Sequence, residues 1–325
     1  MKGRQAMQYS FIINPHARSG QAQATWSQLK NYLDTNNIEY HSDFTRYPGH
    51  ATEIASQFAN QSSQDMVIIV VGGDGTVDEV INGLYNHEHP KNVNQIPIAI
   101  IPAGWQNKFA KALGIQGQPV DAFQQILVAS EPTTINIGHY HESIKDEDGY
   151  FINTWGLGFD AALLSHRNGL KKGQRRMGPL SFMRNAGSIL YNQQPYSLMV
   201  QEKQRHSLYA NTFISTCFNF LPEGSRQQRY QSLLNPELSL LIIERRNWLI
   251  TFWTLCLLIT GHITKSRWAH FITAKQFHYT TSSLEFVQKD GIELGNRFVD
   301  VTMESVPCHI WQSNSASVKS IDKNN

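Results

Sequence analysis

The run Gly72, Gly73, Asp74, Gly75 and Thr76 carries the residue types that a phosphate-binding loop needs. Glycines let the backbone approach a ligand closely and take positive φ. A helix opening after such a loop offers its first amides and the positive end of its dipole to an anion. Asp74 sits inside that anion site, where a carboxylate repels phosphate unless a divalent cation or a positioned donor intervenes. A magnesium-bound nucleotide removes the conflict. The bland alternative is an ordinary glycine-rich turn between strand and helix, with Asp74 or Thr76 as the helix N-cap.

The elements that must position this loop follow from the hydrophobic pattern. Met66 to Val71 is continuously apolar, as a parallel strand covered on both faces requires, and Val77, Val80, Ile81 and Leu84 then recur at helical spacing. Three more segments repeat the logic. A strand from Tyr9 to Asn14 leads through HARSG into a helix over 21–33, and a strand over 40–44 precedes the turn RYPGH. The helix after that turn places Ala51, Ile54, Ala55 and Phe58 on one face. The apolar run 96–101 leads through PAGWQN to a helix over 108–113 closed by Gly114. Strands alternating with helices predict a doubly wound α/β domain over 7–132.

After Pro132 the texture changes to short β-branched and aromatic segments between turn residues, which predicts a mostly β second domain over 133–312. Helices are expected to interrupt it at about 179–191 and 247–263, and residues 313–325 read as a mobile tail. A length of 325 residues suits two domains. The formal charge of +2, from 28 Lys and Arg against 26 Asp and Glu, is too small for a dedicated nucleic-acid binder. Three scattered cysteines without CxxC spacing indicate neither a disulfide framework nor a zinc site and favour a reducing, cytoplasmic setting. The apolar run Phe11 to Ile13 is too short for a signal-peptide core, so export is not expected.

NPHARSG at 14–20, GGDGTVDEVINGL at 72–84 and PAGWQNKFAKALGI at 102–115 resemble, in order, three motifs of the diacylglycerol kinase catalytic domain, which bacterial lipid kinases and sphingosine kinases share. The resemblance continues through YFINTWGLGFDA at 150–161, MGPLSF at 177–182, TGHIT at 260–264 and KDG at 289–291. NAD kinases and phosphofructokinases share a GGDG loop more distantly. The resemblance implies an NAD-kinase-like α/β nucleotide domain and a C-terminal β-sandwich, with ATP-dependent phosphorylation of a lipid hydroxyl in the cleft between them. By the same resemblance Asn14 belongs to the first nucleotide loop and Thr45, ahead of GHA at 49–51, matches a threonine that contacts ATP. Gly72, Gly73, Asp74, Gly75 and Thr76 would surround the phosphates. Glu79 and Asn107 would sit near the nucleotide, or else serve as helix-surface and capping residues. ATP and Mg2+ are the implied cofactors, with Asp74 beside the metal.

Three departures from the family pattern bear on catalysis. Where the family has PxGTxNDFAR this chain has PAGWQNKFAK, so Trp105 replaces a threonine and Lys108 an aspartate. An indole there fills nucleotide space or stacks on a base, and Lys108 contacts phosphate or is simply solvated. The family's DGE motif supplies the base for the lipid hydroxyl, whereas this chain reads Asp290, Gly291, Ile292, Glu293. A slip of one residue in a strand reverses the side chain, which a bulge at Gly291 would correct. Glu293 is therefore the expected base, with Asp290 as its neighbour or substitute. Asn235 to Ser239 stands where the family has an acidic DGxLD segment linked to a metal, and only Glu237 is acidic there. These changes keep open a catalytically impaired kinase-like protein that binds nucleotide or lipid, and more distantly an NAD kinase-like enzyme.

Residues 247–264 contain no Asp, Glu, Lys or Arg, yet Thr251, Thr254, Thr260, Gly261 and His262 make the segment less apolar than a usual membrane span. A buried or membrane-facing helix is the preferred reading, with Phe252, Trp253 and Leu257 available to lipid. The basic cluster Arg167, Lys171, Lys172, Arg175 and Arg176 suits an anionic leaflet or a solvated loop. The pairs His87 with His89 and His139 with His141 read as surface residues. Expected partners are a membrane lipid substrate such as diacylglycerol, an anionic membrane surface and a second copy of the chain in a homodimer. Nucleic acid is not among them. The expected location is cytoplasmic and peripheral to the membrane.

Overall fold

The computed structural model describes residues 7–59, 66–85, 96–115, 118–169, 191, 193–203, 205–220, 232–260 and 262–312. The chain forms two compact units: one from residues within 1–137, 225–235 and 307–325, the other from residues within 138–224 and 236–306. The expected helix at 179–190, MGPLSF, the cluster members Lys171, Lys172, Arg175 and Arg176, His87, His89 and the tail lie outside the described residues.

The first unit is α/β. Its elements are β1 (Gln8–Ile13), α1 (Gln21–Thr35), β2 (Tyr40–Phe44), α2 (His50–Ala59), β3 (Met66–Gly72), α3 (Asp74–Leu84), β4 (Ile98–Pro102), α4 (Lys108–Ala112) and α5 (Pro119–Val128). The strands lie in the order β2, β1, β3, β4, with parallel pairs throughout. Every residue of β3 is buried, which is why its sequence is an unbroken apolar run rather than an alternating one. Two helix pairs flank the strands. Phe11 packs against Trp26 of α1 and Phe123 of α5. Gly83 lets α3 meet α2 so closely that a Cβ there would stand 2.3 Å from the Thr52 carbonyl oxygen. The chain returns at its end, where Ile310 pairs with Ile98 and Gln312 bonds the backbone of Ile100.

The second unit is strand-rich. It contains β5 (Thr133–Glu142), which begins in the first unit, β6 (Glu147–Phe151), β7 (Thr154–Gly158), α6 (Phe159–Gly169), β8 (Tyr196–Glu202) and β9 (Arg205–Phe218). There follow β10 (Leu238–Glu244), α7 (Trp248–Ile259), β11 (Ala269–Ala274), β12 (Gln276–Thr281), β13 (Glu285–Lys289), β14 (Ile292–Arg297) and β15 (Asp300–Ile310). The neighbours run β14, β13, β7, β9, β8, β12, β15, all antiparallel. The long β9 changes partners along its length, pairing with β8 over 205–212 and with β7 and β10 toward Phe218. Alternate residues of these strands bury Trp155, Leu198, Cys217, Tyr279, Val287 and Met303 in one core, each large apolar side chain contributing about 1.5–3 kcal/mol.

Candidate active site

In the first unit β1 is flanked by β2 on one side and β3 on the other, so the connections after β1 and β3 diverge. Open α/β sheets bind ligands at the carboxyl ends of strands at such a switch point. Asn14, just past β1, donates from Nδ2 to Thr76 Oγ1 at 3.0 Å and accepts the His16 amide at 3.1 Å. This ties the first loop to the start of α3. Thr45, buried at the end of β2, donates its amide to the Ile13 carbonyl at 2.9 Å. The loops after β3 and β4 touch backbone to backbone: a Cβ on Gly104 would lie 2.5 Å from Gly73 Cα. Asn107 holds that contact from a left-handed conformation (φ 47°), its side chain accepting from Gly104 N at 2.9 Å and donating to Gly104 O at 3.1 Å.

The carboxylates of the loop are committed to helix ends. Asp74 accepts the amides of Lys108 at 2.8 Å and Phe109 at 3.0 Å, so it caps the start of α4. The donor that relieves its charge within the loop is therefore the α4 backbone. Glu79 Oε2 accepts the Ala51 amide at 3.3 Å at the start of α2. Thr76 and Val77 amides return to the Gly73 carbonyl, and the amides of Asp74 and Gly75 ahead of them are those that α3 can offer an anion. Trp105 is 70% exposed at the loop surface, with the Arg18 guanidinium 5.6 Å from its ring centroid.

In the second unit Asp290 and Gly291 (φ 50° and 81°) form the two-residue turn joining β13 to β14, the geometry that an Asp-Gly pair favours between antiparallel strands. The Asp290 carboxylate accepts the amides of Ile152, Asn153 and Thr154 at 2.7–2.8 Å. Burial raises its pKa against those amides and Lys289. Asp290 thus braces the 152–154 backbone. The bulge expected at Gly291 lies instead beyond Glu293: Val287 pairs with Gly295 and Gln288 with Glu293, leaving Leu294 as the extra residue. Gly295 takes a φ of 88° there, the left-handed conformation that glycine adopts without a Cβ penalty. Glu293 keeps the ordinary strand orientation set by the turn, and its Oε1 accepts from Ser165 of α6 at 2.6 Å.

Asp160, inside the motif at 150–161 but not singled out from sequence, is the strongly perturbed carboxylate of this unit. Burial pushes its pKa up to about 6, against hydrogen bonds from the Ala161 backbone, Thr216 and Gln288. Among the described residues its Oδ1 is buried without a partner, and its Oδ2 accepts from Thr216 Oγ1 at 3.2 Å. Gln288, which bonds Asp160, stands opposite Glu293 in the β13–β14 register, and its side chain also donates to Thr154 Oγ1 at 3.3 Å and accepts the Gly291 amide at 2.9 Å. The carboxylate packs on the glycine-lined β7, where a Cβ on Gly156 would lie 2.5 Å from Asp160 Oδ2.

The remaining expected features are placed as follows. Pro236 is exposed and Glu237 leads directly into β10, and no cluster of three or more metal-ligating side chains occurs among the described residues. Of the two histidines expected at the surface, His141 is partly exposed and lies 3.2 Å from Asp148, while His139 is more deeply set, 3.3 Å from Asp148 and 3.1 Å from Glu304. The helix expected at 247–263 is α7, and among the described residues no helix is long and apolar enough to cross a membrane. Leu257, expected at a lipid surface, packs partly buried against the core around Phe213 and Ile243, whereas Phe252 and Trp253 are exposed.

Residues 8–140 match the diacylglycerol kinase catalytic domain. The matched stretch holds the elements β1 to α5 of the first unit. It is 27% identical over 302 residues to the Bacillus subtilis protein named "Putative lipid kinase YtlR", covering 88% of this chain and 93% of that protein. A Staphylococcus aureus protein named "Putative lipid kinase" is 28% identical over 199 residues, or 60% of this chain and 59% of its own length. Among solved structures, one described as "a putative diacylglycerol kinase from Bacillus anthracis str. Sterne" shares the fold with a TM-score of 0.69 at 19% identity, over 96% of this chain and 99% of that one. The Asn14, Asp74 and Gly104 loops all lie within the matched residues.

Proposed function

We propose that this protein is an ATP-dependent lipid kinase that transfers the γ-phosphate to a hydroxyl of diacylglycerol or a similar membrane lipid. The observation that carries the reading is the tethering of the loops at the β1/β3 switch point, Asn14 on Thr76 and Gly104 on Gly73, which keeps the α3 amides together as an anion site. Thr45, Glu79 and Asn107 shape the same edge, Glu79 and Asn107 through backbone contacts rather than through free side chains.

A magnesium ion suits these residues. Each Asp74 oxygen accepts a single amide, and a carboxylate has further lone pairs to give. A Mg2+ held chiefly by nucleotide phosphates asks for one or two carboxylates from the protein. When bound, the ion neutralises charge on the transferring phosphoryl group. The chain's own residues do the rest. Glu293 takes the proton of the lipid hydroxyl as its oxygen bonds to the γ-phosphorus, and the bond to the β,γ-bridging oxygen breaks to release ADP. Ser165 holds Glu293 in place through its 2.6 Å hydrogen bond, a positioning role.

A second reading, a nucleotide- or lipid-binding protein without efficient turnover, is favoured by one observation: Ile292, at the family's base position, is exposed and carries no proton-accepting group. Labelled transfer separates the two. Incubation with γ-labelled ATP, Mg2+ and diacylglycerol in mixed micelles should yield labelled phosphatidate. Nucleotide binding without label in any lipid would favour the second reading.

A further inference from the structure

The helix α7 is built inside out. Its buried positions are Thr251 and Thr254, each 1% exposed, while Trp248 and Trp253 are 69% and 65% exposed, with Leu249 and Phe252 also open. The threonines tolerate burial because their hydroxyls bond the helix's own carbonyls, Thr251 to Asn247 at 3.1 Å and Thr254 to Ile250 at 2.9 Å. Leu255, Leu257 and Leu258 anchor the helix on the core. The outward aromatics are therefore a surplus that the fold does not consume, and contiguous exposed apolar surface of this kind marks an interaction site.

Charge decides what the surface suits. Of the cations near α7, Arg246 pairs with Glu244 at 3.4 Å and Arg245 lies over the buried Phe213 ring, which leaves the exposed Lys265 and Arg267 to the surface, with no Asp or Glu from 245 to 267. Arg246 and Arg267 both lie over the Trp268 ring, at 4.3 and 4.6 Å from its centroid. Between α7 and this basic rim runs an open groove of about 370 Å³ lined by Leu249, Trp253, Leu257, Lys265, Arg267 and Trp268. Exposed tryptophans next to cations match the interface of a bilayer, where indoles sit at headgroup depth and Lys and Arg meet anionic lipid. We infer that the exposed face of α7, with Lys265 and Arg267, docks the protein on an anionic phospholipid bilayer. The inference deepens the lipid-kinase reading and rests on it for purpose, since the substrate resides in the bilayer, while its geometry stands alone.

The test uses the full chain and vesicles of phosphatidylcholine with or without phosphatidylglycerol, in the absence of nucleotide. Binding should require phosphatidylglycerol and weaken with salt. Lys265→Gln with Arg267→Gln should lower it about 25-fold, at about fivefold per cation, and Phe252→Ser with Trp253→Ser at least about tenfold. Because these side chains are exposed, unfolding midpoints should match wild type. Transfer to a dispersed short-chain diacylglycerol should be unchanged in both variants. Vesicle binding that is absent, or indifferent to both variants, overturns the inference, as does a dimer in solution that only the Phe252 and Trp253 changes dissociate, which would make the face a contact between copies. Vesicle binding that follows the variants without transfer to any lipid would refute the kinase reading and leave the docking surface standing.

Discussion

Replacing Asp160 by Asn should stabilise the protein at neutral and higher pH but not in acid. Burial raises the carboxyl from 3.8 to about 6, so above pH 6 the folded state must hold a charge that the unfolded chain holds more easily. That difference corresponds to about 3 kcal/mol of lost stability. The neutral amide accepts more weakly from Thr216 and the Ala161 backbone, which returns about 1 kcal/mol. The expected net gain is about 2 kcal/mol at pH 7.5, or about 4–8 °C in unfolding temperature for a unit of this size. As pH falls through 6 toward 3.8 the wild-type carboxyl protonates in the folded state first, and the advantage of the variant disappears. Urea unfolding of both proteins across this range measures it. A gain that is constant with pH, or a loss at neutral pH, would refute the assignment of a strained buried charge. If that charge also serves the reaction, the stabilised variant should turn over more slowly, the usual cost of a tuned site.

Other outcomes follow from the first unit and its loops. Asn14→Ala removes the bond to Thr76 and should cost about 1 kcal/mol of stability together with most of the affinity for ATP. Calorimetric titration showing wild-type affinity would move the nucleotide away from the β1/β3 switch point. Trp105→Thr changes an exposed side chain and should leave stability within about 0.5 kcal/mol. ATP should quench indole emission in the wild type and quench it much less in this variant, and equal quenching would place the nucleotide elsewhere than beside Trp105.

Much of the first unit was legible because its signals are local. The buried run of β3 and the apolar spacing after Gly75 define a strand and a helix without reference to anything distant. The partner of Asp74 was not legible, because the α4 amides that it caps lie more than thirty positions along the chain. In the second unit the Asp290–Gly291 pair already spelled a hairpin turn, and giving Gly291 that role would have moved the bulge to Gly295. Asp160 looked ordinary since its raised pKa comes from burial beneath strands far from it in sequence. In α7 the outward placing of Phe252 and Trp253 was legible, whereas the burial of Thr251 and Thr254 was not, because hydropathy ranks threonine as polar although a helix can satisfy its hydroxyl internally.

The central claim is phosphoryl transfer from ATP to a lipid hydroxyl with Glu293 as base, and one comparison tests it most directly. Label transfer to diacylglycerol in mixed micelles is measured for the wild type, Glu293→Gln and Asp290→Asn, with nucleotide affinity measured alongside. The account predicts transfer by the wild type and a fall of about 10²–10⁴-fold in Glu293→Gln at unchanged ATP affinity. Asp290→Asn should lose stability first, in keeping with its three backbone amides. Full transfer by Glu293→Gln would contradict the account.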